Sequence, residues 1–289
     1  MSPGVPGGLT DMHTLKDGLV MGESPRWHDG RLWLSDWGTG EILALDDAGE
    51  AEVMARLPAL PFCFDFLPDG RLLVVSGREG LLLRHEPDGS VVTHADLTGI
   101  APPPWNDIVV DASGNAYVGC TGFDFPGAEF RPGLMACVTP GGAVREVADG
   151  VAFPNGVAIT PDGATLVLAE SYGTCLTAWD IGPGGGLSGR RVWADLGDGV
   201  PDGICCDAEG AIWYADVPNR RCVRVAEGGE VLATVDVDRG CFACMLGGAD
   251  GRTLYIVASE WRGPTQVAAA AGTGQVLTLR APAAHAGRP

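Results

Sequence analysis

The sequence is short of basic residues, and this limits its partners. Its 289 residues include 19 Lys and Arg against 37 Asp and Glu, which gives a formal net charge of -18. A surface of this sign repels a phosphate backbone, so nucleic-acid binding is not expected, whereas divalent cations are favoured. A solvated acidic surface is the more ordinary explanation of the same excess.

Long apolar runs are also missing. No stretch of 18 or more apolar residues occurs, so the chain is not expected to enter a membrane as a helix. The segment Met1–Asp11 is rich in Gly and Pro and lacks the basic-then-apolar order of an export signal. The expected location is therefore the cytoplasm.

Repeated cysteine or histidine motifs are absent as well. The nine cysteines are odd in number and mostly lie in apolar runs, which indicates buried thiols rather than a disulfide framework. Cys241 and Cys244 form a C-x-x-C pair without a second pair or a nearby His, so we interpret them as core residues. The five histidines share no spacing, which argues against a His-rich zinc site.

The sequence does contain a hairpin pattern that is repeated six times. In the copy at Phe153–Ser171, a short alternating strand is followed by the turn Pro161-Asp162-Gly163 and a second apolar strand. The abundance of Gly (44 residues) fits many tight turns. The other copies are Gly22–Trp37, Phe62–Gly77, Trp105–Thr121, Pro201–Val217 and Cys241–Ser259.

The spacing of these hairpins predicts the fold. Their turn glycines recur every 40–49 residues, which leaves room for about four strands in each unit, as in a propeller blade. We predict an all-β, six-bladed β-propeller that forms one domain over residues 1–289, with flexible tails at 1–11 and 282–289. The segment His13–Val20 would complete the last blade and close the ring, which removes an exposed sheet edge. A straight solenoid is the main alternative.

A polar residue opens four of the six hairpins. Asn106, Asn155 and Asp202 lie eight residues before their turn glycines, and Glu23 lies seven before its own. In a propeller these positions meet at one mouth of the central channel. Their oxygen atoms suit one divalent ion, namely Ca²⁺, Mg²⁺, Mn²⁺ or Zn²⁺. Asn-Gly and Asp-Gly are also ordinary turn dipeptides, but four side chains at matched positions favour a metal site.

The remaining two hairpins carry apolar residues at this position, Phe62 and Ala243. A channel that is polar on one side only suits a site for a metal and a substrate together.

These motifs together resemble the SMP-30/gluconolactonase/LRE family (regucalcin-like). The segments that carry the resemblance are G-E-S-P-R-W from Gly22, W-N-D from Trp105, F-P-N-G-V-A-I-T-P-D-G from Phe153 and P-D-G-I-C from Pro201. The resemblance implies a six-bladed propeller, a mononuclear metal held by Glu23, Asn155 and Asp202, and Asp202 as the general base. It also implies that Asn106 contacts the substrate or a water on the metal, and that the substrate is a sugar lactone.

One position departs from the family pattern. Members that act on sugar lactones often carry Arg two residues before the substrate-binding Asn, where this chain has Pro104. An Arg would donate paired hydrogen bonds to the substrate, so its absence beside Trp105 favours a less polar lactone or ester. Trp105, with Asp124 and Tyr172 from loops on the same face, is a candidate substrate contact, although packed or solvated loop residues are an equal alternative.

The predicted activity is metal-dependent hydrolysis of a lactone, with a small molecule as the only expected partner and the oligomeric state open. Two alternatives stay open beside it. One is a different metal-dependent reaction on the same site, such as ester or phosphotriester hydrolysis or dehydration. The other is a calcium-binding propeller without turnover.

Overall fold

A computed structural model describes residues 11–57, 61–263 and 272–287. It contains 24 β-strands within these residues, arranged as six four-stranded antiparallel sheets. This confirms the predicted all-β, six-bladed propeller.

The sheets are numbered as blades 1–6. Blades 1 and 2 consist of β2 (Gly22–His28), β3 (Arg31–Asp36), β4 (Glu41–Leu45) and β5 (Ala51–Arg56), then β6 (Phe62–Phe66), β7 (Leu72–Ser76), β8 (Leu81–His85) and β9 (Val91–Asp96). Blades 3 and 4 consist of β10 (Trp105–Val110), β11 (Ala116–Cys120), β12 (Gly133–Val138) and β13 (Val144–Val151), then β14 (Pro154–Ile159), β15 (Thr165–Glu170), β16 (Cys175–Ile181) and β17 (Leu187–Asp195). Blades 5 and 6 consist of β18 (Pro201–Cys206), β19 (Ile212–Asp216), β20 (Arg221–Val225) and β21 (Val231–Asp236), then β22 (Gly240–Gly247), β23 (Thr253–Ser259), β24 (Gly274–Arg280) and β1 (His13–Leu19). A short 3-10 turn covers Pro183–Gly185.

The hairpin turns form where the sequence predicts them. Gly163 and Gly210 adopt φ values of +71° and +80°, and a Cβ atom at either position would meet open space. The turns therefore require glycine for its backbone conformation rather than for room.

The six blades form a closed ring. The first strand of each blade lies innermost, and each of these strands contacts the first strand of the next blade, including β22 with β2. The N-terminal strand β1 pairs antiparallel with β24, with His13 opposite Thr278. This confirms that the N-terminus supplies the fourth strand of the last blade, as predicted.

The core lies between neighbouring blades. One cluster packs Leu73 of blade 2 against Trp105 and Val118 of blade 3, and similar clusters fill the other interfaces. All nine cysteines are free, and eight of them are buried, including Cys241 and Cys244. They are core residues, as the sequence analysis predicted.

Residues 282–287, which the sequence analysis predicted as part of a flexible tail, contact the ring. Ala283 is buried, His285 forms a β-bridge with Asp207, and its backbone N–H donates to Gly251 O at 2.8 Å. Backbone hydrogen bonds with two neighbouring hairpins hold this segment in place, which composition alone does not indicate. Residues 1–10 and 288–289 of the predicted tails lie outside the described residues.

Across residues 11–57, 61–263 and 272–287, no helix combines the length and apolar character required to cross a membrane.

Candidate functional site

The four polar residues predicted to converge line one cavity at the mouth of the central channel. The cavity has a volume of about 580 Å³, and Glu23, Asn106, Asn155 and Asp202 all face it from four different blades. We call these four side chains the polar floor. Asp107, next to Asn106, also lines the cavity.

A break in the strand register orients each of these side chains. The inner hairpins of blades 3, 4 and 5 lose their regular pairing between Trp105 and Ile108, between Pro154 and Val157, and between Pro201 and Ile204. The three floor residues of these blades lie inside these breaks. Blade 1 has a similar irregularity that begins at Glu23. A β-bulge redirects a side chain out of the sheet pattern, which here points the polar groups along the channel.

The glycines that follow two of the floor residues permit close strand packing. A Cβ atom on Gly156 would lie 2.5 Å from the backbone nitrogen of Ile204, and one on Gly203 would lie 2.5 Å from Cβ of Ala243. The Asn-Gly and Asp-Gly dipeptides therefore belong to the interfaces between inner strands and not to tight turns.

Counting from the turn glycines misplaces two channel residues. Cys63 and Phe242 line the cavity, whereas the sequence count selected Phe62 and Ala243. In blade 2 the pairing of β6 with β7 is unbroken, so the channel position moves by one residue relative to the bulged blades. In blade 6 the register shifts between Cys241 and Ala243, which places Phe242 within the irregularity.

The carboxylates of the floor carry unfavourable like charges. Burial raises the pKa of Glu23 well above its ordinary value, and the charges of Asp202 and Asp107 add to this effect. Burial raises the pKa of Asp202 to about 8, with further increases from Asp107 and Asp216, while a hydrogen bond from Asn155 acts in the opposite direction. The site therefore holds two carboxyl groups whose ionised forms need a nearby cation.

A buried ion cluster that the sequence analysis did not identify lies beside the floor. Arg26 Nη2 donates to Asp107 Oδ1 at 3.2 Å, and Arg26 Nε lies 3.6 Å from Asp65 Oδ1. Arg26 is 4% exposed and also donates to Ile108 O at 2.6 Å. Burial acts to lower the pKa of Arg26, but Asp107 and Asp65 outweigh it and the pKa is raised. The only sequence signal was three charged residues inside or beside apolar strands.

The predicted substrate contacts separate into two groups. Tyr172 lines the cavity and is 51% exposed. Trp105 is fully buried between blades 2 and 3 and does not line the cavity, because its neighbour Asn106 takes the channel position. Asp124 also lies outside the cavity lining, and its carboxylate accepts a hydrogen bond from Arg78 Nη1 at 3.1 Å. Pro104, two residues before Asn106, lines the cavity.

The walls above the floor are largely aromatic, and most of their members were not identified from sequence. Three of these residues come from blades 3 and 4, namely Phe125, Phe153 and Tyr172, and three come from blades 1 and 6, namely Trp37, Phe242 and Trp261. We call the two groups the first and second aromatic walls. Arg78 is the single basic residue that lines the cavity within the described chain.

The donor set fits a divalent cation in its chemistry. Glu23, Asn155 and Asp202 offer two carboxylates and an amide oxygen, which are the ligands that Ca²⁺ and Mg²⁺ prefer. The mutual repulsion of the two carboxylates is the interaction that such an ion would relieve. Among the described residues no group of three or more His, Cys, Asp or Glu side chains is arranged as a metal site. The third member of the predicted donor set is an Asn.

Comparison with known proteins places this arrangement in a family. The family model of the SMP-30/Gluconolactonase/LRE-like region matches residues 21–260. The chain is 27% identical over 249 residues to 6-deoxy-6-sulfogluconolactonase from Pseudomonas putida, which covers 83% of this chain and 84% of that protein. It is 29% identical over 251 residues to regucalcin from Xenopus laevis, with 83% of each chain covered.

A solved structure shares the fold. The crystal structure of regucalcin, a calcium-binding protein from Agrobacterium tumefaciens, superposes with a TM-score of 0.79 at 22% identity and covers 99% of this chain and 98% of that chain. The match of the family model over most of the chain agrees with the motifs that carry the floor residues. The chain belongs to the SMP-30/gluconolactonase/LRE-like family.

Proposed function

We propose that this protein is a divalent-metal-dependent lactonase, a hydrolase that opens a cyclic ester to a hydroxy acid. The observation that carries the proposal is the convergence of Glu23, Asn106, Asn155 and Asp202 from four blades on one cavity. The name of the Pseudomonas putida relative supports the choice of lactone hydrolysis among the reactions that such a site can perform.

Glu23, Asn155 and Asp202 would hold the metal ion. When bound, such an ion supplies a Lewis acid that polarises the carbonyl oxygen of the lactone. The two buried carboxyl groups would then be ionised rather than protonated, since the cation offsets both burial and their mutual repulsion. The donor set supports Ca²⁺, Mg²⁺ or Mn²⁺, with Zn²⁺ as a further candidate.

The residues of the chain account for the proton transfers. In its ionised form the carboxylate of Asp202 accepts a proton from water as the water oxygen forms a bond to the carbonyl carbon. The bond between this carbon and the ring oxygen then breaks, and the same carboxyl group returns the proton to the departing oxygen. Asn106 faces the cavity beside this position, and its amide N–H groups are donors for a substrate oxygen.

A pH-stat assay with a lactone panel tests the proposal. The protein is stripped with a chelator and then supplied with Ca²⁺, Mg²⁺, Mn²⁺ or Zn²⁺, and acid release is followed at constant pH. We expect one or more ions to restore hydrolysis. No acid release from any lactone, with the ion shown to be bound by elemental analysis, would contradict the proposal.

Substitution of Asp202, measured at saturating ion, tests its proposed role as the general base. Asp202→Asn at saturating ion should lower kcat by about 10²–10⁴-fold, because the general base is lost. Asp198→Asn is the matched control, since Asp198 lies in the preceding loop with a side chain that is 79% exposed. Hydrolysis that survives Asp202→Asn undiminished would show that another group acts as the base.

A further inference from the structure

The two aromatic walls stand across the cavity from each other. In a six-bladed ring, blades 3 and 4 lie opposite blades 6 and 1, so the first wall faces the second. Within the first wall, Phe153 stacks on Tyr172 with ring centroids 4.9 Å apart, and Phe125 meets Phe153 edge-on at 5.1 Å. Within the second, Phe242 and Trp261 meet edge-on at 5.6 Å. A ligand that reaches the floor therefore passes between two apolar faces.

Most polar groups in these walls are already used by the protein. Trp37 Nε1 donates to Phe62 O at 2.6 Å, and Ser171 Oγ donates to Pro201 O at 2.7 Å. Thr121 Oγ1 donates to Phe123 O at 3.0 Å. At the rim, Arg78 Nη1 donates to Asp124 at 3.1 Å, so Arg78 is the basic side chain whose remaining N–H groups are open to solvent.

Prolines remove further donors from the lining, because they have no backbone N–H. Five prolines line the cavity, namely Pro61, Pro104, Pro126, Pro201 and Pro218. Between the walls, a ligand covered with hydroxyl groups would replace only part of its hydrogen bonds to water, which disfavours its binding.

We propose that this site takes lactones that carry an aryl or similarly bulky apolar substituent, and that it discriminates against polyhydroxylated sugar lactones. The ester group would lie on the polar floor and the substituent between the two walls. A volume of about 580 Å³ accommodates such a ligand. This inference rests on the proposed lactonase activity and goes further in naming its substrate class.

Three lactones of equal ring size test the inference. They are 6-phenyl-tetrahydropyran-2-one, unsubstituted δ-valerolactone and glucono-δ-lactone, assayed by pH-stat with the metal-loaded protein and corrected for spontaneous hydrolysis. We expect kcat/KM for the phenyl lactone to exceed both others by about tenfold or more, as burial of an apolar group of this size allows.

The possible results distinguish a wrong substrate class from a wrong lactonase assignment. If glucono-δ-lactone or δ-valerolactone is hydrolysed as well as the phenyl lactone, the substrate class is wrong while the lactonase activity stands. If none of the three is hydrolysed, both proposals are overturned.

Variants in the two aromatic walls test whether these walls cause the preference for the phenyl lactone. Tyr172→Leu and Trp261→Leu each remove one ring from opposite walls, and neither side chain is fully buried, so both variants should fold. Each should lower the kcat/KM ratio of phenyl lactone to δ-valerolactone about tenfold, mainly through KM, because the substituent binds equally in the ground and transition states.

Phe66→Leu is the matched control, since Phe66 stacks on His28 near the hairpin turns and does not line the cavity. It should keep the wild-type ratio. An unchanged ratio in both wall variants would overturn the assignment of the walls.

Discussion

The buried charges around Arg26 explain why a cation would be stabilised at the polar floor. The buried guanidinium is shared by Asp65 and Asp107, which lie 3.6 and 3.2 Å from it. Within the described part of the chain, Glu23 and Asp202 form no ion pair with a basic side chain. The channel therefore holds more buried carboxyl groups than cations, and a divalent ion at Glu23 and Asp202 would correct the imbalance.

Proton competition makes the affinity for the ion depend on pH. The pKa of Asp202 is raised to about 8 and that of Glu23 is raised as well, so both groups hold protons more tightly in the folded protein than in the unfolded chain. An ion must displace these protons, so its affinity should fall as the pH drops below about 8, by about tenfold per pH unit for each proton displaced. Calorimetric titration with Ca²⁺ at pH 6, 7, 8 and 9, in buffers of different ionisation enthalpy, measures both the affinity and the proton release.

The Asp198→Asn variant serves as the control in this titration and should follow the wild-type pH dependence. An affinity that stays constant between pH 6 and 9, without proton release, would show that the floor carboxylates are not the ligands.

At the residue scale, the sequence predicted the four residues of the polar floor but not the other residues that line the cavity beside them. Asn106, Asn155 and Asp202 could be located because each lies eight residues before its turn glycine, and Glu23 because it lies seven residues before its own. Cys63 and Phe242 could not, because the local register of each hairpin depends on bulges that leave no mark in the spacing. Trp105 shows the same limit, since one step along a strand turns a side chain from the channel into the core.

The loop of residues 121–132 connects three blades at the mouth of the cavity. It leaves blade 3 after β11, contacts Phe153 of blade 4 through Phe125, and reaches Arg78 of blade 2 through Asp124. The sequence analysis predicted only that Asp124 comes from a loop on the face of the polar floor. Its partners depend on how neighbouring blades pack, which a repeat pattern does not contain.

The ion pair between Arg78 and Asp124 should contribute little to stability or catalysis. The two side chains are 57% and 62% exposed, and pairs of this kind are worth at most about 1 kcal/mol. Because Asp124 does not line the cavity, Asp124→Asn should leave kcat and KM within about twofold and lower the Tm by a few degrees at most. Steady-state kinetics on the best substrate and thermal unfolding by circular dichroism measure these effects.

Tyr172→Leu provides the contrast on the same rim, because Tyr172 lines the cavity and should change KM for the phenyl lactone. A large rise in KM in Asp124→Asn would return Asp124 to the substrate-binding set that the sequence analysis predicted.

On the scale of the whole molecule, one strand pair holds the ring together. Each blade is continuous in sequence except blade 6, in which β1 pairs with β24 from the other end of the chain. The cavity depends on this closure, since Glu23 of the polar floor lies in β2, the strand after β1, and Phe242 of the second aromatic wall lies in β22 of blade 6. The hairpin spacing and the need to cover a sheet edge made this closure predictable, whereas the packing of residues 282–287 required the structure.

Weakening the closure should destabilise the whole ring rather than blade 6 alone. Leu19 at the end of β1 is 3% exposed and packs in the core cluster of blades 5, 6 and 1, so Leu19→Ala should lower the free energy of unfolding by about 2–5 kcal/mol. Val53→Ala is the control in β5, the outer strand of blade 1, where the side chain is 38% exposed and the expected change is below about 0.5 kcal/mol. Thermal unfolding followed by far-ultraviolet circular dichroism and by tryptophan fluorescence should show one coincident transition, shifted to lower temperature in Leu19→Ala. A separate early transition that affects only part of the signal would show that blade 6 opens independently and that the ring does not unfold as one cooperative unit.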